Sequence, residues 1–236
     1  MSIQTADFDF VRTLLKQRAA IVLEPGKEYL VESRLKPLAS RLGHASIADL
    51  VAALRRTRDR ELERQLLEAM TTNESFFFRD KLPFDQFRDT VMPQLLKARE
   101  TSRRIRIWCA AAATGQEPYS LAMTLKEMGK QLAGWRIEIL ATDISNTVLD
   151  KARSGIYSQF EVQRGLPVMM LVKYFAQIGD MWQIAPEIRA MVQYKPLNLL
   201  QRELQLVLHG LGLRRRSHHI LLLAKVLGLL AMRLRL

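Results

Sequence analysis

Residues 105–143 constrain this chain more than any other stretch: IRIWCAAAATGQEPYSLAM, a helix-like segment, then RIEILATD. They read as a buried strand, a bend of small side chains, a helix, and a second buried strand ending on Asp143. That order opens an α/β nucleotide-binding unit. A bend with almost no side chains lets a cofactor lie against the main chain. A carboxylate at the end of the next strand can accept hydrogen bonds from both hydroxyls of a ribose.

The bend, Ala110 to Gly115, is not a GxGxxG fingerprint. Its small residues still permit close approach, Gly115 allows a tight or left-handed turn, and the following helix offers free backbone N–H groups. With so few glycines, a cofactor without phosphates fits better than a dinucleotide, and S-adenosylmethionine is the common one. Asp143 is either the ribose acid or a helix N-cap or turn acid; Ser145 supplies a helix cap of its own, which favours the ribose role. Glu117, in the first turn of the helix, is favoured there by the helix dipole in any case. Beside the bend it can instead pair with an α-amino group.

Residues 6–70 are helical in pattern. Phe8, Val11, Leu14 and Leu15 recur at helical spacing, and Pro25-Gly26 marks a turn. A second helix is predicted over 27–42, with Tyr29, Leu30, Leu35, Leu38 and Leu42 on its apolar side and Arg34, Lys36 and Arg41 on the other. That basic face is either solvated or a docking surface for an acidic partner. Ser46 caps a third helix over 47–56, and 59–70 suits a fourth. TTNES at 71–75 breaks the pattern and leads into Phe76-Phe77-Phe78-Arg79-Asp80. This segment is either a buried connector or a cofactor-facing wall on which Asn73, Ser75 and Arg79 present polar groups. Further helices are predicted over 84–100, 116–133 and 146–154, the last closed by Gly155. Residues 182–195 suggest strand, helical turn and strand.

One cysteine, Cys109, excludes a disulfide framework and fits a reducing, cytoplasmic compartment; in its apolar strand it reads as a buried spacer. The N-terminus carries no secretory pattern, and the longest apolar run, 220–232, is interrupted by Lys225, so no membrane insertion is expected. The net charge of +12 hints at nucleic acid, but six basic and no acidic residues sit in 204–236, leaving +6 on the first 203 residues. That remainder suits an acidic partner without requiring DNA or RNA. Motifs for zinc hydrolysis, serine hydrolysis or a P-loop are absent, and no metal site is expected.

Together, TTNESFFFRD (71–80), WCAAAATGQEPYSLAM (108–123), ATDIS (141–145), KARSGIY (151–157) and the Asn198-Leu199-Leu200 stretch resemble the CheR family of chemotaxis receptor methyltransferases. The resemblance spans roughly residues 8–200. It implies a Rossmann-like methyltransferase sheet (84–203) behind a small all-α receptor-docking domain (1–70), joined by a cofactor-contacting linker (71–83), with a small antiparallel subdomain near 175–195. In some members that subdomain grips a tethering peptide of the receptor. It implies methyl transfer from S-adenosylmethionine to receptor glutamates by a monomer. Asn73, Ser75, Arg79, Glu117, Asp143, Asn198 and Leu199 match the cofactor-contacting positions. Arg79 would also position substrate, as the catalytic candidate, and Arg34, Lys36 and Arg41 would meet the acidic receptor helix.

After Asn198-Leu199 the chain departs from the family. The expected Phe-Asp pair, Cys-Arg-Asn element and Tyr-bearing helix start are absent, and 204–236 is rich in Leu and Arg without a single acid. The sheet is therefore expected to be incomplete after residue 203. An out-of-frame read of the gene would account for the tail, and the coding DNA decides it. Two other readings stand beside the enzyme. One is a non-catalytic receptor-binding or regulatory module with a defective cofactor fold. The other is a basic nucleic-acid or membrane-surface binder using residues 213–236.

Overall fold

The computed structural model describes residues 3–200, with the backbone of two short strands at Leu221–Ala224 and Met232–Arg233. The remainder of 204–236, including the 214–216 arginine run and Lys225, lies outside the described residues. The chain divides into two units, Met1–Thr72 with Asn198–Leu204, and Asn73–Leu197 with Gln205–Leu236.

The first unit holds four helices: α1 (Thr5–Ala19), α2 (Glu28–Arg41), α3 (Ile47–Thr57) and α4 (Arg60–Met70). Their starts are written in the sequence. Ser46 accepts the Asp49 amide, and Asp59 accepts those of Glu61 and Leu62. Val11, Leu15, Val31, Leu35, Leu50 and Leu66 are wholly buried and form the centre of one apolar core, each worth about 1.5–3 kcal/mol by burial. The buried stripe of α2 is Val31, Leu35, Leu38 and Ala39. Tyr29, expected on the apolar side, is instead 61% exposed beside Lys27. It lies two residues before Val31, about 200° round the helix.

The second unit begins with α5 (Leu82–Gln86), a π-turn (Phe87–Val91) and α6 (Met92–Ala98). One helix was expected over 84–100. Pro93 has no N–H to give the Asp89 carbonyl and its ring would strike it, so the helix widens by one turn there. Then come β1 (Arg104–Ala110), α7 (Gln116–Glu127), a 3-10 turn (Gly129–Leu132), β2 (Arg136–Asp143) and α8 (Asn146–Ser154). The helix expected to reach residue 133 breaks after Glu127, at a left-handed Gly129. β1 and β2 pair in parallel, Ile107 opposite Ile139 and Ala110 opposite Thr142. Ile105, Ile107, Trp108, Cys109 and Ala110 are all buried, as a strand covered on both faces requires.

After α8 come β3 (Ile156–Ser158), α9 (Gln159–Gln163), α10 (Val168–Tyr174), β4 (Phe175–Ile178), β5 (Met181–Ile184), α11 (Pro186–Arg189) and β6 (Val192–Pro196). β3, β5 and β4 make the small antiparallel sheet. It takes its third strand from 156–158 and leaves 192–196 to the main sheet, where β6 lies parallel to β2. The main sheet runs β6–β2–β1, then β7 (Leu221–Ala224) parallel to β1 and β8 (Met232–Arg233) antiparallel to β7. Among the described residues no helix is long and apolar enough to cross a membrane, and no group of three His, Cys, Asp or Glu could hold a metal ion.

Candidate active site

The carboxyl ends of β1 and β2 meet at the bend. Ala111, Ala113 and Gly115 all have left-handed backbones, φ 56°, 49° and 92°. L-residues resist this conformation by about 1–2 kcal/mol each, so the bend needs small side chains and external restraint. Asp143 supplies the restraint. Its Oδ2 accepts the Ala113 amide at 2.8 Å and its Oδ1 that of Ser145 at 3.0 Å, with the residue only 7% exposed. The backbone adds a bond from the Ala112 amide to the Thr142 carbonyl at 2.9 Å. Ser145 caps α8 through the Val148 amide as expected, yet Asp143 is a turn acid as well. The two roles do not exclude each other, because each carboxylate oxygen carries a second lone pair.

No side chain caps α7, whose N-cap is Gly115. Glu117 is half-buried in its first turn. Burial pushes the Cys109 thiol well up, and the Glu117 charge adds to the effect; Cys109 is an inert spacer. Tyr157 and Tyr194 form the aromatic floor beneath the bend, and Tyr119 packs against their rings with its hydroxyl turned to the Ala152 carbonyl. A Cβ on Gly115 would come to 2.7 Å from the Tyr194 hydroxyl and 3.2 Å from that of Tyr157. Burial, first of all, raises the pKa of all three phenols, so they stay protonated hydrogen-bond donors.

The segment after Asn73 is a connector that buries Phe77 in the core of the second unit. A left-handed backbone at Phe78 (φ 49°) parts the three phenylalanines, and a second at Asp80 (φ 55°) turns the chain after them. Phe77 is wholly buried, edge-on to Tyr157 at 5.0 Å and to Phe175 at 5.5 Å. Phe78 meets Phe84. Phe76 is half-buried under the Arg79 and Arg164 guanidiniums, at 5.5 and 4.4 Å. The Phe78 amide donates to Ser120 Oγ on α7 at 2.9 Å, and that hydroxyl donates to the Gln116 carbonyl at 2.6 Å. Ser75 Oγ is buried without a hydrogen-bond partner. Arg79 is 48% exposed and holds Asp80 loosely, at 3.7 Å.

The remaining predicted residues fall in the helical unit. Asn198 Nδ2 donates to the Arg18 carbonyl at 2.6 Å, and Leu199 is 42% exposed. Arg34, Lys36 and Arg41 do not share one face. Arg34 and Arg41 are seven residues apart, two turns along one side, whereas Lys36 points about 200° away from Arg34. Arg34 is also occupied, donating to the Met70 carbonyl at 2.6 Å and to Thr72 Oγ1 at 3.0 Å. Sequence reasoning missed Tyr157 and Ser120. Both stand inside the quoted stretches KARSGIY and EPYS, but neither residue type there announces a partner some forty residues away.

The donor set fits S-adenosylmethionine. A bend of alanines admits a ligand close to the main chain, a buried carboxylate keeps acceptor capacity, and the buried Ser75 hydroxyl lacks a partner. Residues 73–208 match the family model described as "CheR methyltransferase, SAM binding domain", and residues 6–71 match "CheR methyltransferase, all-alpha domain". The chain is 40% identical over 206 residues to chemotaxis protein methyltransferase 1 of Pseudomonas aeruginosa, covering 85% of this chain and 74% of the relative. It is 36% identical to chemotaxis protein methyltransferase Cher2 of Pseudomonas putida, with the same coverage. It is 38% identical to chemotaxis protein methyltransferase 1 of Vibrio cholerae, covering 82% and 70%.

Proposed function

The chain belongs to the CheR methyltransferase family, and from that premise we propose that it transfers a methyl group from S-adenosylmethionine to glutamate side chains of methyl-accepting chemotaxis receptors. The observation that carries this reading is the Asp143 clamp, a buried carboxylate that holds the Ala113 amide and still has lone pairs for a ribose diol. Ser75 Oγ and Asn73 would take polar groups of the cofactor from the linker side, and Glu117 its α-amino group. Asn198 and Leu199 enter as cofactor contacts on the family likeness alone.

S-adenosylmethionine, when bound, supplies a sulfonium-activated methyl group. Glutamate, with a pKa of about 4.3, is ionised at neutral pH, so no residue here has to take a proton. The chain's work is alignment and exclusion of water. Arg79 suits the positioning of the receptor carboxylate: it is half-exposed, and its ion pair to Asp80, at 3.7 Å, is long enough to exchange for a better acceptor. Lys36 and Arg41 are exposed, and among the described residues neither is held in an ion pair that would compete with an acidic receptor helix. We assign the protein to the cytoplasm, a reading supported by its single, buried cysteine, and take it as a monomer without a nucleic-acid partner on the family likeness alone.

Transfer of labelled methyl from S-adenosylmethionine to receptor fragments tests the reading, alongside receptor pull-down. Label in base-labile glutamyl esters supports it. Receptor capture with no label from folded protein would mark a non-catalytic binding module instead.

A further inference from the structure

Tyr157 touches both strips of chain that frame the cofactor seat. It lies in β3, wholly buried, and its hydroxyl donates to the Thr114 carbonyl at 2.8 Å. Thr114 stands between Ala113, whose amide Asp143 holds, and Gly115. On its other side the Tyr157 ring meets Phe77 edge-on at 5.0 Å, and Phe77 lies between Ser75 and Arg79 in the linker. The bend carries three left-handed residues, two of them alanines, a conformation that L-residues resist. It holds its shape only while something pins it. Asp143 pins the bend from the strand side, and Tyr157 pins it from beneath.

Resting on the cofactor assignment above, we propose that Tyr157 is a positioning residue for S-adenosylmethionine: its hydroxyl fixes the Thr114 carbonyl, and its ring sets the linker bearing Ser75 and Arg79 at a constant distance from the bend. The residue touches no reacting atom. Its effect is on how well the seat is preformed, and a seat that must be ordered on binding costs affinity.

Tyr119 supplies the control. It is equally buried in the same aromatic cluster, 6.5 Å from Tyr157 between ring centres, but its hydroxyl donates to the Ala152 carbonyl at the end of α8. Both Tyr→Phe changes delete one buried hydrogen bond to a carbonyl. Only one of those carbonyls belongs to the bend.

The experiment is titration calorimetry of S-adenosylhomocysteine into the full chain and its variants, with thermal unfolding in parallel. Tyr157→Phe is expected to raise Kd about tenfold, the effect of one lost buried hydrogen bond, while Tyr119→Phe leaves Kd unchanged and loses a similar amount of Tm. Equal Kd in both variants and wild type would reduce Tyr157 to packing and overturn the proposal. Should Tyr157→Phe fail to fold, Phe77→Leu removes the ring contact at the linker end of the same residue, and an unchanged Kd there overturns it too. No heat from the wild-type chain, or no loss on Asp143→Ala, refutes the cofactor assignment itself, and the Tyr157 proposal with it.

Discussion

Asp143 and Ala113 are joined by a 2.8 Å hydrogen bond from the alanine amide to the carboxylate, which ties the end of β2 to a bend thirty residues earlier. The same side chain turns the chain into α8 through the Ser145 amide. A single carboxylate therefore shapes the candidate site on two sides before any ligand enters it.

Asp143→Asn keeps the side chain's shape but replaces one acceptor with an N–H donor. Either the Ala113 or the Ser145 amide then faces a donor and is left unsatisfied, a loss of about 1–3 kcal/mol. Tm is expected to fall by about 5 °C, and S-adenosylhomocysteine affinity at least tenfold, because one diol acceptor is also lost. Calorimetry and thermal unfolding of the variant read both. A variant with wild-type affinity would remove Asp143 from the site.

Arg34 was grouped by sequence with Lys36 and Arg41 as a docking surface, but its guanidinium closes the end of α4 through the Met70 carbonyl and holds Thr72. Arg34→Ala is expected to destabilise the helical unit by about 1–2 kcal/mol. Lys36→Ala and Arg41→Ala, on exposed positions, should stay within about 0.5 kcal/mol of wild type and weaken only capture of receptor fragments. Urea denaturation paired with pull-down separates the two effects; equal stability in all three variants would restore the common docking role.

The parts of the fold visible in the sequence are those set by local rules. β1 and β2 declare themselves through unbroken apolar runs, the caps through Ser46, Ser145 and Gly155, and the bend through its alanines. What stayed hidden is set by partners far along the chain. Nothing near Tyr157 names Thr114, 43 residues back, and nothing near Arg34 names Met70, 36 residues on. Whether the three phenylalanines form a buried connector or a wall stayed open in the sequence, because their separation depends on a left-handed backbone at Phe78 that no neighbouring glycine signals. The third strand of the antiparallel sheet was missed for a similar reason. A three-residue strand, Ile156–Ser158, is too short to show a period.

Alkaline pH offers a test through Tyr174. Its phenol is pushed up to about 12, first by burial and then by its hydrogen bond to Glu127. The fold thus favours the protonated phenol. That stabilisation is fully present below the usual value near 10 and is lost as pH climbs through about 12. Wild-type Tm should fall more steeply between those values than that of Tyr174→Phe, which has no phenol to ionise at that position. Circular dichroism melts across the window measure it, and parallel slopes in the two proteins would show that the Tyr174 environment contributes nothing there.

Gly165 separates backbone strain from collision. Its φ is +83°, and a Cβ there would sit 2.1 Å from the Phe77 carbonyl and 3.0 Å from the Phe76 ring. Gly179, in the same unit between β4 and β5, has φ +58° and nothing within 4 Å of the position a Cβ would take. Gly179→Ala therefore incurs only the left-handed penalty, about 1–2 kcal/mol. Gly165→Ala incurs that and must also push the linker backbone away, so a loss above about 3 kcal/mol is expected. Because Phe77 lies between Ser75 and Arg79, the displaced linker should weaken S-adenosylhomocysteine binding in whatever fraction still folds, whereas Gly179→Ala should bind it normally. Urea unfolding of the two variants, with calorimetry on each, tests the pair: matched losses would mean that the linker yields freely and that Gly165 is needed for its backbone angle alone.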